Sequence, residues 1–144
     1  MPITIKTKKD IENMRIAGQK AAAVLNMLDQ YVVPGITTEE LDKIAFDYIT
    51  RDLKCIPANV GYNGYPKTLC TSLNSVICHG IPSESQTLKD GDILNIDVTV
   101  IENKWHGDTS KMYAVGKIQN FAKRLINVTQ ECMYQGIKKV RPGE

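Results

Sequence analysis

Asp97 and Asp108 are the pair in this sequence whose type and placement could do chemistry together. Asp97 interrupts the apolar run Ile93-Leu-Asn-Ile-Asp-Val-Thr-Val-Ile101. Burying a carboxylate without a partner is costly, so it must be hydrogen-bonded, ion-paired or metal-bound. If the run is a strand, period-two alternation puts Asn95, Asp97 and Thr99 on one face and Leu94, Ile96, Val98 and Val100 on the other. If that strand turns back on Asn103-Lys104, Glu102 faces Trp105 and Thr99 faces Asp108. Asp108 then lies diagonal to Asp97, roughly 7–8 Å away at Cα. Two carboxylates at that spacing can converge on a bridged pair of cations. The alternative is structural, with Lys104 or Lys111 as simple ion partners, and spacing alone leaves both readings open. Two carboxylates are in either case an incomplete site for a transition metal, which needs further ligands.

The other chemistry-bearing residues are few. There are two histidines, so no H-E-x-x-H zinc helix exists. His79 sits in Val76-Ile-Cys-His-Gly-Ile-Pro82, a Gly/Pro-held loop, where a lone histidine is a catalyst or a surface residue. His106, in Trp105-His-Gly-Asp108, could orient Asp108 or fill the hairpin. Gly61-Tyr-Asn-Gly-Tyr-Pro-Lys-Thr68 is not a phosphate loop, because Pro66 stands where the glycine before Lys-Thr is required and has no N–H to offer. Tyr62 and Tyr65 could instead form a rigid pocket wall with polar tips, or fill core. No serine lies in a G-x-S-x-G elbow. The four cysteines (55, 70, 78, 132) are sparse and never spaced C-x-x-C, which predicts reduced thiols.

The elements that must position these residues follow from periodicity. Thr7 with Asp10 predicts a capped helix carrying Ile11, Met14, Gly18, Ala21, Leu25, Leu28 and Val32 on one face, stopped by Pro34-Gly35. Thr37 with Glu40 opens a second helix, with Leu41, Ile44, Ala45, Tyr48 and Ile49 inward, ending near Asp52 or Leu53. From Cys55 to Tyr113 the pattern is strand and loop, including the turn Lys89-Asp-Gly-Asp92 and a hairpin from Ile93 to Tyr113. After Gly116 helical spacing returns with Phe121, Leu125, Val128, Cys132, Gly136 and Val140. That helix closes on Val140-x-Pro142-Gly143 as the first does on Val32-x-Pro34-Gly35. The echo predicts one complete α/β repeat over 1–116 and the start of a second over 117–144.

With 18 basic and 16 acidic residues the net charge is +2, and no long basic run is present, which argues against direct nucleic-acid recognition. The longest stretch free of charged residues, Thr68 to Ser83, is too polar to cross a membrane. The start, Met1 to Asp10, has no apolar core or cleavage site of a secretory signal, so the expected location is the cytoplasm.

Five segments occur in order: Gly61-Tyr-Asn-Gly-Tyr-Pro66, Cys78-His-Gly-Ile-Pro82, Lys89-Asp-Gly-Asp92, Asn95-Ile-Asp-Val98 and His106-Gly-Asp-Thr-Ser110. Together they resemble the bacterial type I methionine aminopeptidases, in the short form without a zinc-binding N-terminal extension. The resemblance implies an α/β (α+β) pitta-bread fold of two pseudo-symmetric halves around a dinuclear metal centre. It implies removal of the initiator methionine from nascent polypeptides, with the ribosome as a candidate partner, and a monomer when complete. By the same resemblance Asp97 and Asp108 are metal ligands for two divalent cations (Co, Mn, Fe or Zn). His79 hydrogen-bonds near the scissile amide, and Tyr62, Tyr65 and Cys70 line the methionine side-chain pocket. Asn59 departs from the cysteine frequent at that pocket edge in close relatives.

The family's other ligands, a histidine and two glutamates with one the general base, belong to a second half that these residues do not include. Taken alone, the 144 residues are expected to lack a complete dinuclear site and to expose an apolar face. Two competing readings are a non-catalytic pitta-bread module that binds peptides or a protein partner, and a proline-specific relative. The first would usually have lost the metal carboxylates, and the second is disfavoured by the Gly-Tyr-x-Gly-Tyr-Pro loop.

Overall fold

The computed structural model describes residues 3–144, so Met1 and Pro2 of the expected N-terminal segment lie outside it. Helix α1 (Lys8–Leu28) begins with the expected capping box, Thr7 Oγ1 accepting from the Asp10 amide while the Asp10 carboxylate accepts from the Thr7 amide. Its inward face is Ala17, Ala21, Val24, Leu25 and Leu28. Ile11 and Met14, expected on that face, are 48% and 43% exposed, and the first buried residue of the helix is Ala17, which lies against Gly107 of the sheet. The helix also ends before Pro34. Tyr31 and Val32 both donate to the Leu28 carbonyl, turning the chain so that Val32 reaches the core from outside the helix.

Helix α2 (Thr38–Asp47) opens on a second capping box, Thr37 with Glu40, and runs into a π-helical turn over Tyr48–Asp52 that caps at Leu53. Four antiparallel strands follow: β1 (Ile56–Pro57), β2 (Leu69–Leu73), β3 (Ile93–Glu102) and β4 (Trp105–Ala114). β4 takes one edge of β3 along its length, while β2 and then β1 take the other. The β3–β4 turn is Asn103-Lys104 with both φ values positive (48° and 73°), which matches the twist of a two-residue hairpin. Glu102 faces Trp105 and Thr99 faces Asp108, the register expected from the sequence.

Leu94, Ile96, Val98 and Val100 are fully buried and pack with Ala21, Val24 and Leu28 of α1 and Leu41, Ala45 and Ile49 of the α2 segment. Each such side chain contributes about 1.5–3 kcal/mol relative to exposure. Gly107 fixes how closely the hairpin lies on α1: a Cβ there would fall 2.0 Å from the Ala17 carbonyl oxygen. On the opposite face of the sheet Asn95, Asp97 and Thr99 of β3 are half-buried.

Helix α3 (Asn120–Lys139) presents its apolar stripe outward. Phe121 is 77% exposed and Leu125 59%, and Ala122 is the one buried residue of the helix. All four cysteines are free thiols, Cys55 and Cys70 buried, Cys78 and Cys132 exposed. No helix among the described residues is long and apolar enough to cross a membrane.

Candidate metal centre and substrate pocket

The open face of the sheet floors a cavity of about 530 Å³. Asp97, Thr99 and Asp108 form its base, and Cys70, the β2 neighbour of Asp97 in register, continues that base sideways. Tyr62, Tyr65 and Pro66, from the loop between β1 and β2, make one wall, and His79 and Ile81 approach from the other loop. The structure therefore brings Tyr62, Tyr65, Cys70, His79, Asp97 and Asp108 to one cavity. His106 is exposed and does not line it.

The wall is rigid for local reasons. The loop folds on itself through Gly61 N to Tyr65 O (2.8 Å) and Tyr65 N to Tyr62 O (2.9 Å). Gly61 (φ 82°), Asn63 (φ 48°) and Gly64 (φ 80°) take left-handed backbone that two glycines and an asparagine accept. Asn59 Nδ2 donates to Thr68 O at 3.0 Å, holding the two ends of the loop together.

Among the described residues no lysine or arginine pairs with Asp97 or Asp108. Lys111, one of the two ion partners considered from sequence, pairs with Asp29 at 2.5 Å and lies over the Tyr113 ring. Lys104 occupies the hairpin turn itself, and among the described residues no ion pair reaches either aspartate. Burial pushes the Asp97 carboxyl above the usual carboxylate range. The charge of Asp108 and a hydrogen bond with it push the same way, and His79 opposes them. Two carboxylates held near each other by the register of a hairpin form an oxygen donor set that fits a divalent metal. Among the described residues they are not joined by a third His, Cys, Asp or Glu in a group that could hold one.

Cys70 and Tyr65 complete a protonated, weakly polar wall. Burial raises the Cys70 thiol above its usual value, and burial raises the Tyr65 phenol well above its own, with Cys70 adding to it. Neither group ionises near neutral pH, which suits a neutral substrate side chain.

Sequence reasoning missed Asp42. Its Oδ1 accepts from the amides of Thr68 (2.8 Å) and Leu69 (2.7 Å), anchoring the start of β2 beside the cavity. The signal was available: Thr38, Asp42, Ala45 and Ile49 form an inward helical stripe with one carboxylate in it. The loop is further held by Lys67, which meets Glu39 of α2 at 2.5 Å. The carboxylates of the Lys89-Asp-Gly-Asp92 motif are turn-makers. Asp92 accepts from the Lys89 amide and Asp90 from the Lys117 amide, and neither lines the cavity.

A half-open antiparallel sheet with helices on one face and facing carboxylates on the other is the fold of the pitta-bread peptidases. The solved methionine aminopeptidase of Rickettsia prowazekii superposes on this chain with a TM-score of 0.95 at 49% identity, covering 99% of this chain and 56% of that one. A Xaa-Pro dipeptidase from Bacillus anthracis shares the fold alone, with a TM-score of 0.80 at 20% identity over 97% of this chain and 38% of its own. Residues 12–144 match Metallopeptidase family M24, and the chain belongs to that family. It is 57% identical over 143 residues to the methionine aminopeptidase of Salmonella typhimurium, covering 99% of this chain and 54% of that protein. The chain thus spans about half the length of the relatives it matches.

Proposed function

We propose that this chain carries the N-terminal half of the active site of an aminopeptidase that removes the initiator methionine from nascent polypeptides. The observation that carries the reading is the pair Asp97 and Asp108, diagonal neighbours on the hairpin at the base of the Tyr62–Tyr65–Cys70 cavity. Residues 1–116 form the first α/β repeat and 117–144 open a second, whose remaining length holds the other ligands. The repeat echo and the outward apolar stripe of α3 support that division.

In this reading Asp97 and Asp108 hold two divalent cations, of Co, Mn, Fe or Zn. When bound, such cations polarise the scissile carbonyl and lower the pKa of an attacking water. The chain's own residues do the rest. Tyr62, Tyr65 and Cys70 receive the methionine side chain in a pocket with no charged group of its own, which places the scissile bond over the two carboxylates. His79, on the opposite rim, donates or accepts a hydrogen bond at the scissile amide. The substrate's free α-amino group, a cation, is drawn to the same negative base. The expected setting is the cytoplasm, with a monomeric enzyme and the ribosome as a candidate partner.

The test is methionine release from Met-Ala-Ser with Co²⁺ or Mn²⁺, on this chain and on the chain continued through a second repeat. Activity in the continued chain alone is the expected result. Activity in neither, with folding and metal binding verified, overturns the reading in favour of a peptide-binding module.

A further inference from the structure

We propose that the Tyr65 hydroxyl is a positioning group that ties the wall of the methionine pocket to the backbone carrying His79. This rests on the reading of the site given above and adds a residue that acts through another. Tyr65 Oη lies 2.9 Å from the Leu69 carbonyl oxygen and 3.3 Å from the Gly80 carbonyl oxygen. One phenolic proton is therefore shared between the start of β2, which carries Cys70, and the loop residue that follows His79.

His79 needs such support. Its φ is +55°, a left-handed conformation uncommon for a residue with a Cβ, and its side chain is exposed at the cavity rim. Among the described residues no hydrogen bond holds its imidazole, so the ring is aimed by its backbone. That backbone is fixed at Gly80. The Thr71 amide donates to Gly80 O at 2.7 Å, the Gly80 amide donates to Ser72 Oγ at 3.3 Å, and a Cβ at Gly80 would stand 2.1 Å from Thr71 O.

Those contacts hold Gly80 from the strand side. Tyr65 holds the same carbonyl from the pocket side, and its ring lines the cavity that receives the substrate. The pocket wall and the His79 backbone thus move as one unit. Burial keeps the phenol protonated, so the hydroxyl remains a donor across the working pH range.

Tyr65→Phe keeps the ring and removes the proton. In the metal-loaded chain continued through the second repeat, kcat for Met-Ala-Ser should fall about tenfold, the worth of one hydrogen bond, with KM nearly unchanged. In a His79→Ala background the same change should cost nothing further, because the two residues act as one. A second readout needs no catalysis: in this chain, amide hydrogen exchange at Thr71 and Gly80 should speed up on Tyr65→Phe while that at Leu94 to Val98 stays the same. Additive losses from Tyr65→Phe and His79→Ala, a loss confined to KM, or unchanged exchange would each overturn the tether. If the unsubstituted continued chain releases no methionine, the aminopeptidase reading fails instead, and the exchange rates alone decide whether Tyr65 holds the loop.

Discussion

Two aspartates in this molecule are both drawn out of water, and they are treated in opposite ways. Asp42, at the joint between α2 and β2, is 6% exposed and meets two backbone amides at hydrogen-bond distance. Asp97, on the open face of β3, meets another carboxylate. The first arrangement is complete without any further group, and it serves the fold by fixing where β2 starts. The second leaves two carboxylates together, an arrangement that costs stability and that the proposed reading completes with a cation. Burial of a carboxylate therefore does not by itself mark function; the identity of its neighbours does.

The contrast can be broken most severely at Asp42. Asp42→Ala leaves two buried amides without an acceptor, at roughly 1–3 kcal/mol for each. Urea unfolding of this chain should show that loss, and an unchanged midpoint would mean that Asp42 does not hold the joint. Asp97→Asn should do the reverse. Methionine release by the continued chain should drop by more than about a hundredfold, beyond what loss of a group merely orienting a ligand costs. The metal-free unfolding midpoint should hold or rise, since the change removes a charge facing Asp108.

A smaller effect sharpens the role of Asp42. Burial, outweighing the two amides, raises its carboxyl above the ordinary value of 3.8. The folded state then binds more protons than the unfolded chain between the two pKa values. This contribution to stability is fully present below 3.8 and is lost as pH rises through the folded value. Asp42→Asn should remove that loss, so its stability relative to the unsubstituted chain should improve as pH rises through this window. Glu102 gives the opposite slope. Lys20, at 2.7 Å, and Cys55 hold its carboxyl below the usual value, so its contribution is present above 4.5 and lost as pH falls. Comparing Asp42→Asn with Glu102→Gln in pH-dependent unfolding separates the two slopes, and slopes of the same sign would defeat the assignment.

The smallest change tests the frame behind both aspartates. Thr37→Ala removes the cap of α2 and should cost about 1 kcal/mol without altering the cavity. A larger loss would show that the cap also sets the Asp42 joint.

Much of this was legible along the chain because it depends on neighbours in sequence. Both capping boxes, the Asn103-Lys104 turn and the alternation of β3 are local patterns, and the hairpin register follows from them by counting. That counting is why the diagonal of Asp97 and Asp108 follows from the sequence alone. The residues alone offered Tyr62 and Tyr65 as a pocket wall and the resemblance added Cys70 and His79, but spacing does not say that Tyr65 reaches Gly80 beside His79.

Where a helix finds its partner is another matter. Ala17 lies against Gly107 of the sheet while Ile11 and Met14 stay exposed, and α1 ends early where Tyr31 and Val32 turn onto the Leu28 carbonyl. That Lys111 is no ion partner of Asp97 or Asp108 was likewise decided in three dimensions, by its turning to Asp29. Sequence by itself determined the elements, their caps and the faces of the strands, because those rest on backbone geometry repeating every two or 3.6 residues. Only the tertiary structure decided which polar groups find partners, because that depends on contacts between segments far apart in the chain, such as Asp42 with Thr68 and Tyr65 with Gly80.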